Sequence, residues 1–148
     1  MLTIKTILCP TDFSECSAAA LEFAIELARR LNARIQLIHV FQFPYAMGLE
    51  DGLGMAAGSA QLFEQLRARA DQDLHAQAEA CRSAGITVSV DQLDGAPHRK
   101  IVDASASADL IVMGTHGRSG LPHMILGSVA ERVVRLARCA VITVPAPR

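Results

Sequence analysis

The sequence predicts an α/β fold, a doubly wound domain in which helices cover both faces of a five-stranded parallel sheet. Short β-branched apolar runs alternate with helical patterns through the chain, which is typical of βαβ units and a parallel sheet. Apolar residues make up 51% of the chain and aromatic residues only 4%. Aliphatic side chains therefore fill the interior, as in strands buried on both faces. A length of 148 residues suits one domain, and we expect residues 1–148 to form it.

The chain begins with a predicted strand and an amphipathic helix. Residues 4–9 form a β-branched apolar run that Pro10 halts, which predicts the first strand. Residues 14–31 repeat apolar side chains at spacings of three and four, which predicts a helix that ends at Asn32. The apolar positions of this helix are Leu21, Ala24, Ile25, Ala28 and Leu31.

A strand, a loop and a long helix follow. Residues 34–40 predict the second strand. Residues 41–59 are rich in glycine and predict a loop, to which we assign no site residue. Residues 60–83 predict a long polar helix that stops before Gly85, and its charges favour a solvated surface over a binding stripe.

The last third of the chain predicts three strands and two helices. Ile86, Val88 and Val90 alternate with polar residues and predict the third strand. A turn at residues 94–97 puts Pro97 at the start of a short helix that runs to about residue 106. The remaining elements are a fourth strand at 109–113, a final helix at 128–137 and a fifth strand at 140–144.

Charge and hydropathy narrow the class of protein. The formal net charge is −1 with no long run of one sign, so we expect no nucleic-acid partner and no membrane-surface partner, both of which usually need a basic patch. No apolar stretch approaches the roughly 20 residues of a membrane-spanning helix, and the N-terminal residues lack the features of a signal peptide. We therefore expect a soluble cytoplasmic protein. Its four cysteines are scattered, which favours free thiols over disulfides or a metal site, and Cys9 is expected to be buried and unreactive.

Two strand ends carry unusual residues. The first strand leads into Pro10-Thr11-Asp12, and the fourth leads into residues 114–120, which contain three glycines. Ligands of open parallel sheets bind beyond the carboxyl ends of the strands, where the strand order reverses. A strand order of 3-2-1-4-5, which the residues alone do not fix, would bring both segments to one crevice.

The glycine-rich segment favours phosphate binding. Glycines let the backbone approach a ligand closely and permit φ values that other residues resist, and successive N–H groups of such a loop attract anions. Gly127-Ser128 then opens the last helix, whose N-terminus adds unpaired N–H donors and a positive dipole end. The alternative is a tight loop before a capped helix, because Ser128 and Glu131 have the spacing of an S-x-x-E capping box.

The chain resembles the universal stress protein family in several ordered motifs. Gly114-x2-Gly117-x9-Gly127-Ser128 matches the nucleotide-binding signature of that family. Similar segments lie along the whole chain at residues 7–12 (ILCPTD), 39–40 (HV), 108–114 (ADLIVMG), 126–131 (LGSVAE) and 139–144 (CAVITV). This ordered set is far more specific than a lone glycine pattern.

The resemblance implies a fold like that of the adenine nucleotide alpha hydrolases, with strand order 3-2-1-4-5. It also implies binding of ATP, or of AMP or ADP, with a divalent cation such as Mg²⁺ or Mn²⁺. Pro10, Thr11 and Asp12 would line the adenosine pocket, with Asp12 at the ribose or base, and the backbone of Val40 would meet the adenine edge. The ribose and phosphates would be surrounded by Met113, Gly114, His116, Gly117, Arg118, Gly127, Ser128, Val129 and Ala130.

The resemblance further implies a homodimer formed through the fifth strand, residues 140–144. An apolar strand at a sheet edge invites pairing with a second chain, which agrees with that expectation. The alternative is an edge shielded by the tail, residues 145–148.

Three functions remain open at this point. The first is an ATP-binding stress-response regulator, whose nucleotide modulates contacts with its dimer mate or an unknown protein partner. The others are a slow ATP hydrolase or phosphoryl-transfer enzyme, and a structural dimer that binds only AMP or phosphate. The lysine of the Walker pattern is absent from Gly127-Ser128, and Asp12 is the only acid in the proposed site, so we favour binding over efficient turnover. We assign no catalytic residue and no metal ligand; Asp12 could instead cap the first helix, and His116 and Arg118 could point into solvent.

Overall fold

The strands of the sheet all run in one direction, so their carboxyl ends share one edge. The computed structural model describes residues 1–42, 57–117 and 126–148, with residues 57–59 described by their backbone alone. The strands are β1 (Thr6–Pro10), β2 (Arg34–Phe41), β3 (Val88–Asp94), β4 (Leu110–Gly114) and β5 (Ala140–Val144). Their order is β3-β2-β1-β4-β5 and each pairing is parallel, which confirms the predicted order 3-2-1-4-5.

The helices lie in two pairs, one on each face of the sheet. The helices are α1 (Glu15–Leu31), α2 (Ala57–Ser83), α3 (Pro97–Ala104) and α4 (Ser128–Leu136). α1 and α2 share a hydrophobic cluster with one face, and α3 and α4 share another with the opposite face. Within the described residues no helix combines the length and the hydropathy that a bilayer crossing requires.

Successive residues of the central strands enter two separate cores. Ile7 of β1 packs in a cluster with Leu74 of α2, whereas Leu8 packs with Ile101 of α3 and Val133 of α4. This alternation follows from the pleat, which points neighbouring side chains to opposite faces. Burial of each such side chain contributes about 1.5–3 kcal/mol, so helices on both faces are needed to stabilise the sheet.

Local signals determine both ends of α1. Ser14 is the N-cap, and its Oγ accepts a hydrogen bond from the Ser17 N–H at 3.2 Å. Asn32 has a left-handed conformation with φ of 54°, a conformation that asparagine tolerates well, so the predicted helix end is confirmed. One predicted core position is wrong, because Leu31 is 41% exposed.

The predicted third strand begins too early in the chain. Val88 is its first residue, because Gly85 and Ile86 complete the end of α2. Gly85 has φ of 76°, and the Ile86 N–H donates to the Cys81 carbonyl at 2.9 Å. The strand also continues through Asp94, which pairs in register with Phe41 and forms a 2.9 Å ion pair with Arg67 of α2.

Other predicted boundaries are also wrong. The first strand, predicted at residues 4–9, begins at Thr6 and includes Pro10, and the fourth, predicted at residues 109–113, covers Leu110–Gly114. The segment 41–59 is not all loop, since Phe41 belongs to β2 and α2 begins at Ala57; residues 43–56 lie outside the described part of the chain. The helix predicted to run to residue 106 ends at Ala104 and continues as a 3₁₀ turn, Ser105–Ser107. Ser105 Oγ donates to the Val102 carbonyl and accepts from the Arg138 N–H. These bonds tie the turn to the end of α4.

Candidate functional site

A cavity of about 590 Å³ opens at the carboxyl edge of the sheet, between the ends of β1, β2 and β4 and the first turns of α3 and α4. Its volume lies within the range of small-molecule sites. The predicted binding residues that the structure describes all line it: Pro10, Thr11, Asp12, Val40, Met113, Gly114, His116, Gly117, Gly127, Ser128, Val129 and Ala130. Arg118, the remaining predicted residue, lies outside the described part of the chain.

Sequence reasoning missed several residues of this cavity. They belong to α1, the end of β2, the start of α3 and the end of β4, and they are Ser17, His39, Phe41, Gln42, Pro97, Ile101 and Thr115. Pro97 carried a usable signal, because it starts a helix directly after the third strand. The position of His39 depends on how β2 pairs with β1, which no local pattern reveals.

Thr11 is held by several neighbours. Its N–H donates to the Ile38 carbonyl at 2.8 Å, and its Oγ1 accepts from the Phe13 N–H at 3.1 Å. The same Oγ1 lies 3.2 Å from Ser17 Oγ. With only 5% of its surface exposed, Thr11 is a fixed part of the cavity wall.

Asp12 organises the turn that leads into α1. Its Oδ1 accepts from the Ser14 N–H at 3.0 Å and from the Ser14 hydroxyl. The cap itself is Ser14, so the alternative in which Asp12 caps the helix is wrong. Asp12 keeps its carboxylate at the cavity, which it lines.

His39 joins the end of β2 to the turn after β1. Its Nδ1 lies 2.8 Å from the Thr11 carbonyl oxygen, and the centroid of its ring lies 4.5 Å from that of Phe13. Phe13 has φ of 65°, a conformation that is an outlier for a bulky residue. The contact with His39 therefore helps to hold an unfavourable backbone conformation beside the cavity.

The three glycines of the predicted signature allow chain segments to pack closely. A β-carbon added to Gly114 would lie 2.9 Å from Cys16 Sγ, and one added to Gly117 would lie 2.6 Å from Asp12 Oδ2. At Gly127 it would lie 3.2 Å from the Thr115 carbonyl oxygen. The expectation of unusual φ values is wrong for all three, since the described glycines with positive φ are Gly85 and Gly95. The signature glycines instead bring the end of β4, the start of α1 and the start of α4 together.

Among the described residues, the N-terminus of α4 has no side-chain cap. Gly127 is the N-cap and has no side chain to offer, and Ser128 is the first helical residue. The predicted capping box of Ser128 and Glu131 is therefore wrong. Glu131 instead pairs with Arg135 at 3.1 Å, one turn further along the helix. The first turn of α4 lines the cavity, so its N–H groups lie where an anion could meet them.

Several polar contacts surround Thr115, one of the residues that line the cavity. Its N–H donates to the Val144 carbonyl at 3.0 Å, and its carbonyl accepts from the Gly127 N–H at 2.7 Å. Thr115 Oγ1 lies 3.0 Å from His116 Nδ1. Cys16 Sγ donates to the Val144 carbonyl at 3.3 Å. These bonds join β4, β5 and the loop before α4 into one support.

Cys9 lies one residue before the cavity wall but faces the core shared with α1 and α2. It is fully buried, as predicted. Burial raises the pKa of the Cys9 thiol far above its usual range, and the nearby thiol of Cys81 raises it further. A thiol in this state is a poor nucleophile.

Comparison with known proteins agrees with this architecture. The model of the universal stress protein family matches residues 3–145. Universal stress protein MJ0531 of Methanocaldococcus jannaschii is 36% identical over 147 residues, which cover 97% of this chain and 84% of that protein.

Solved structures share the same fold over almost the whole chain. The hypothetical protein MJ0577 superposes with a TM-score of 0.83 at 27% identity, covering 99% of each chain. A universal stress protein in complex with cAMP gives 0.68 at 24% identity, covering 98% of this chain and 99% of that one. The universal stress protein from Archaeoglobus fulgidus in complex with dAMP gives 0.65 at 21% identity, covering 97% and 99%. The family match and the close relative together establish that this chain belongs to the universal stress protein family.

Proposed function

We propose that this protein binds ATP, or the related AMP or ADP, as a regulatory ligand that changes its contacts with a second copy or with another protein under stress. The observation that carries this proposal is the meeting of Asp12 and the first turn of α4 across one cavity. Asp12 presents carboxylate oxygens, which accept hydrogen bonds from hydroxyl or amine groups. The helix start presents backbone N–H donors, which suit phosphate.

The nucleoside belongs at the side formed by β1 and β2. Pro10, Thr11 and Asp12 line this side together with the backbone of Val40. Apolar walls from Ile101 of α3 and Met113 of β4 suit a flat base. Asp12 then faces the ribose or the base edge, which gives the site its preference for a nucleoside over free phosphate.

The phosphates belong at the opposite side, near Gly117 and Gly127. Ser128 is the first residue of α4, and among the described residues its hydroxyl makes no cap hydrogen bond. The N–H groups of Ser128, Val129 and Ala130 precede the first intrahelical bond of α4, from Glu131 N to the Gly127 carbonyl at 2.9 Å. These three N–H groups have no partner among the described residues, and together with the positive end of the helix dipole they favour a polyphosphate here.

A divalent cation such as Mg²⁺ or Mn²⁺ accompanies the nucleotide in this proposal. Among the described lining residues Asp12 is the one carboxylate, and the described part of the chain contains no group of three residues suited to hold a metal. The phosphates and water would therefore supply most of its ligands, as Mg²⁺ allows.

Solved relatives of the same fold support an adenine nucleotide. One was determined with cAMP and another with dAMP. Both ligands combine an adenine with a phosphate, the two features that the two sides of this cavity suit.

The geometry favours binding over rapid hydrolysis. No lysine is found among the described residues that line the cavity, and efficient phosphoryl transfer uses a lysine or arginine on the transferred group and a residue that orients the nucleophile. Asp12, the one described carboxylate there, is already engaged with Ser14. We expect phosphate release far below the roughly 10 s⁻¹ of a typical enzyme.

Calorimetric titration of ATP tests the proposal. We expect wild-type protein to bind ATP and the Asp12→Asn variant to bind about tenfold or more weakly, since hydrogen bonds to charged groups contribute about 1.5–3 kcal/mol. Asp91→Asn, a charge-matched change at an exposed position of β3, should bind as wild type does. Equal affinity of the Asp12→Asn and wild-type proteins would contradict the proposed role of Asp12, and rapid phosphate release would favour the enzyme.

A homodimer through β5 is the second part of the proposal. β5 lies at the edge of the sheet and is partly exposed along its length. Val134 and Leu136 of the adjacent α4 are 46% and 56% exposed, so the edge has apolar flanks. We expect light scattering to give twice the chain mass of 15.8 kDa. Thr143→Lys on β5 should reduce that mass, whereas Ser89→Lys on the opposite edge strand β3 should not.

A further inference from the structure

His39 lies beside Val40 in sequence but on the other face of the sheet. Leu37 of the same strand packs in the core under α1 and α2, and Val40 packs in the core under α3 and α4. Because side chains alternate along a strand, His39 projects on the side of Leu37. It therefore reaches the turn between β1 and α1, and its ring packs on Phe13 of that turn.

The hydrogen bond to Thr11 determines which ring nitrogen of His39 carries hydrogen. The Thr11 carbonyl can only accept, so Nδ1, at 2.8 Å, must be the donor. In the neutral imidazole Nε2 is then the acceptor. The bond survives protonation of the ring, because Nδ1 carries hydrogen in both forms.

This bond completes the fixation of Thr11. Ile38, the neighbour of His39 in β2, accepts from the Thr11 N–H, and Thr11 Oγ1 accepts from the Phe13 N–H. Two adjacent residues of β2 thus hold both backbone polar groups of Thr11. The next residue is Asp12, whose direction follows from the conformation of Thr11 and Phe13 on its two sides.

We propose that His39 is a positioning residue of the nucleotide site. By donating Nδ1–H to the Thr11 carbonyl and packing on Phe13, it fixes the turn so that Asp12 faces the nucleoside. This inference rests on the proposed function, because His39 contributes to the affinity for adenine nucleotide only through its effect on Asp12.

The test compares three substitutions of His39 by calorimetric titration with ATP. His39→Asn keeps an N–H donor near the position of Nδ1, whereas His39→Gln moves the donor towards the position of Nε2, and His39→Leu removes it. We expect affinity within about threefold of wild type for His39→Asn and about tenfold or more weaker for the other two, since loss of a partly buried hydrogen-bond partner costs about that factor. His75→Leu is the matched control, because His75 Nδ1 also faces a carbonyl, that of Asp71, on the exposed surface of α2.

A double-mutant cycle separates positioning from general destabilisation. If His39 acts through Asp12, the His39→Gln change should cost little affinity once Asp12→Asn is present, so the two effects will not add. Additive losses, or equal losses in His39→Asn and His39→Gln, would overturn the inference. If the wild type binds ATP and the His39→Gln variant binds it with unchanged affinity, the inference is overturned as well, but the proposed function stands.

Nitrogen NMR of the wild-type protein gives a readout that does not depend on nucleotide. Labelled His39 should show a protonated Nδ1 and, when neutral, an unprotonated Nε2. The reverse tautomer would overturn the inference even if the variants failed to fold. Absence of any ATP binding by the wild type would overturn the proposed function and this inference together.

Discussion

The carboxylate of Asp12 lies against the backbone of Gly117, so closely that a β-carbon at residue 117 would be 2.6 Å from Oδ2. One residue follows β1 and the other follows β4, two neighbouring strands on either side of the point where the strand order reverses. Glycine at 117 therefore lets the nucleoside side of the cavity and the phosphate side approach each other.

Replacement of Gly117 by alanine should weaken ATP binding more than it weakens the fold. The added methyl group meets the end of the Asp12 side chain, which can turn away and lose its contact with the nucleoside. We expect at least about a tenfold rise in the Kd, about 1.4 kcal/mol, with a much smaller change in the midpoint of thermal unfolding. Unchanged affinity in a folded variant would show that Asp12 is not a contact.

Two serines at helix starts should respond in opposite ways to alanine. Ser14 is the N-cap of α1 and accepts from Ser17, so Ser14→Ala should cost about 1 kcal/mol of stability in urea unfolding. Ser128 is the first helical residue of α4 and follows the N-cap Gly127, so Ser128→Ala should change stability by less than about 0.5 kcal/mol while lowering ATP affinity. A stability loss at Ser128 as large as that at Ser14 would restore the capping interpretation.

Asp109 should stabilise the protein in a pH-dependent way. The N–H groups of Lys5 and Thr6 both donate to its Oδ2 at 2.9 Å, and these bonds, that of Lys5 first, hold the pKa of the carboxyl below its usual value. The stabilisation is therefore present above the unfolded-state pKa of about 3.9 and is lost as the pH falls through the lower folded-state pKa.

Urea unfolding of Asp109→Asn checks this expectation. The variant should be less stable than wild type near neutral pH, and the difference should narrow in acid. Asp103→Asn, an exposed change on α3, is the matched control and should have little effect. A difference that stays constant from neutral to acidic pH would contradict the role of the charge.

Cys9 should make stability fall at alkaline pH. Burial holds the pKa of its folded-state thiol above the unfolded value. The stabilisation that the buried, protonated thiol gives to the folded state is therefore fully present below about pH 8.5 and is lost as the pH rises further. The slope is up to about 1.4 kcal/mol per pH unit for each such thiol. Cys9→Ala should be less stable overall but should lose stability less steeply above about pH 8.5 in urea titrations. Equal slopes for the two proteins would contradict this assignment.

The fold was largely predictable because its signals are local and repeated. The apolar run of β4 is buried at every residue, and Asn32 ends α1 where the helical pattern stops. Pro97 begins α3 as expected from its fixed φ. Each of these features depends on residues within a few positions of one another.

Errors arose where the outcome depends on contacts that apolar periodicity and motif spacing do not encode. The S-x-x-E spacing did not reveal that the N-cap is Gly127, whose N–H donates to the Thr115 carbonyl, and that Ser128 already has helical geometry. The apolar alternation did not reveal that Ile86 closes α2 instead of starting β3. The local pattern places His39 only near the end of a strand, because its contact with Thr11 depends on the register of two strands.

A crystal structure of the protein soaked with ATP would show directly where the nucleotide binds. We expect the adenosine between Asp12 and the backbone of Val40, and the phosphates within hydrogen-bonding distance of the N–H groups of Ser128, Val129 and Ala130. Density for the nucleotide at another surface, or none in this cavity at a saturating concentration of ATP, would contradict the proposed nucleotide site.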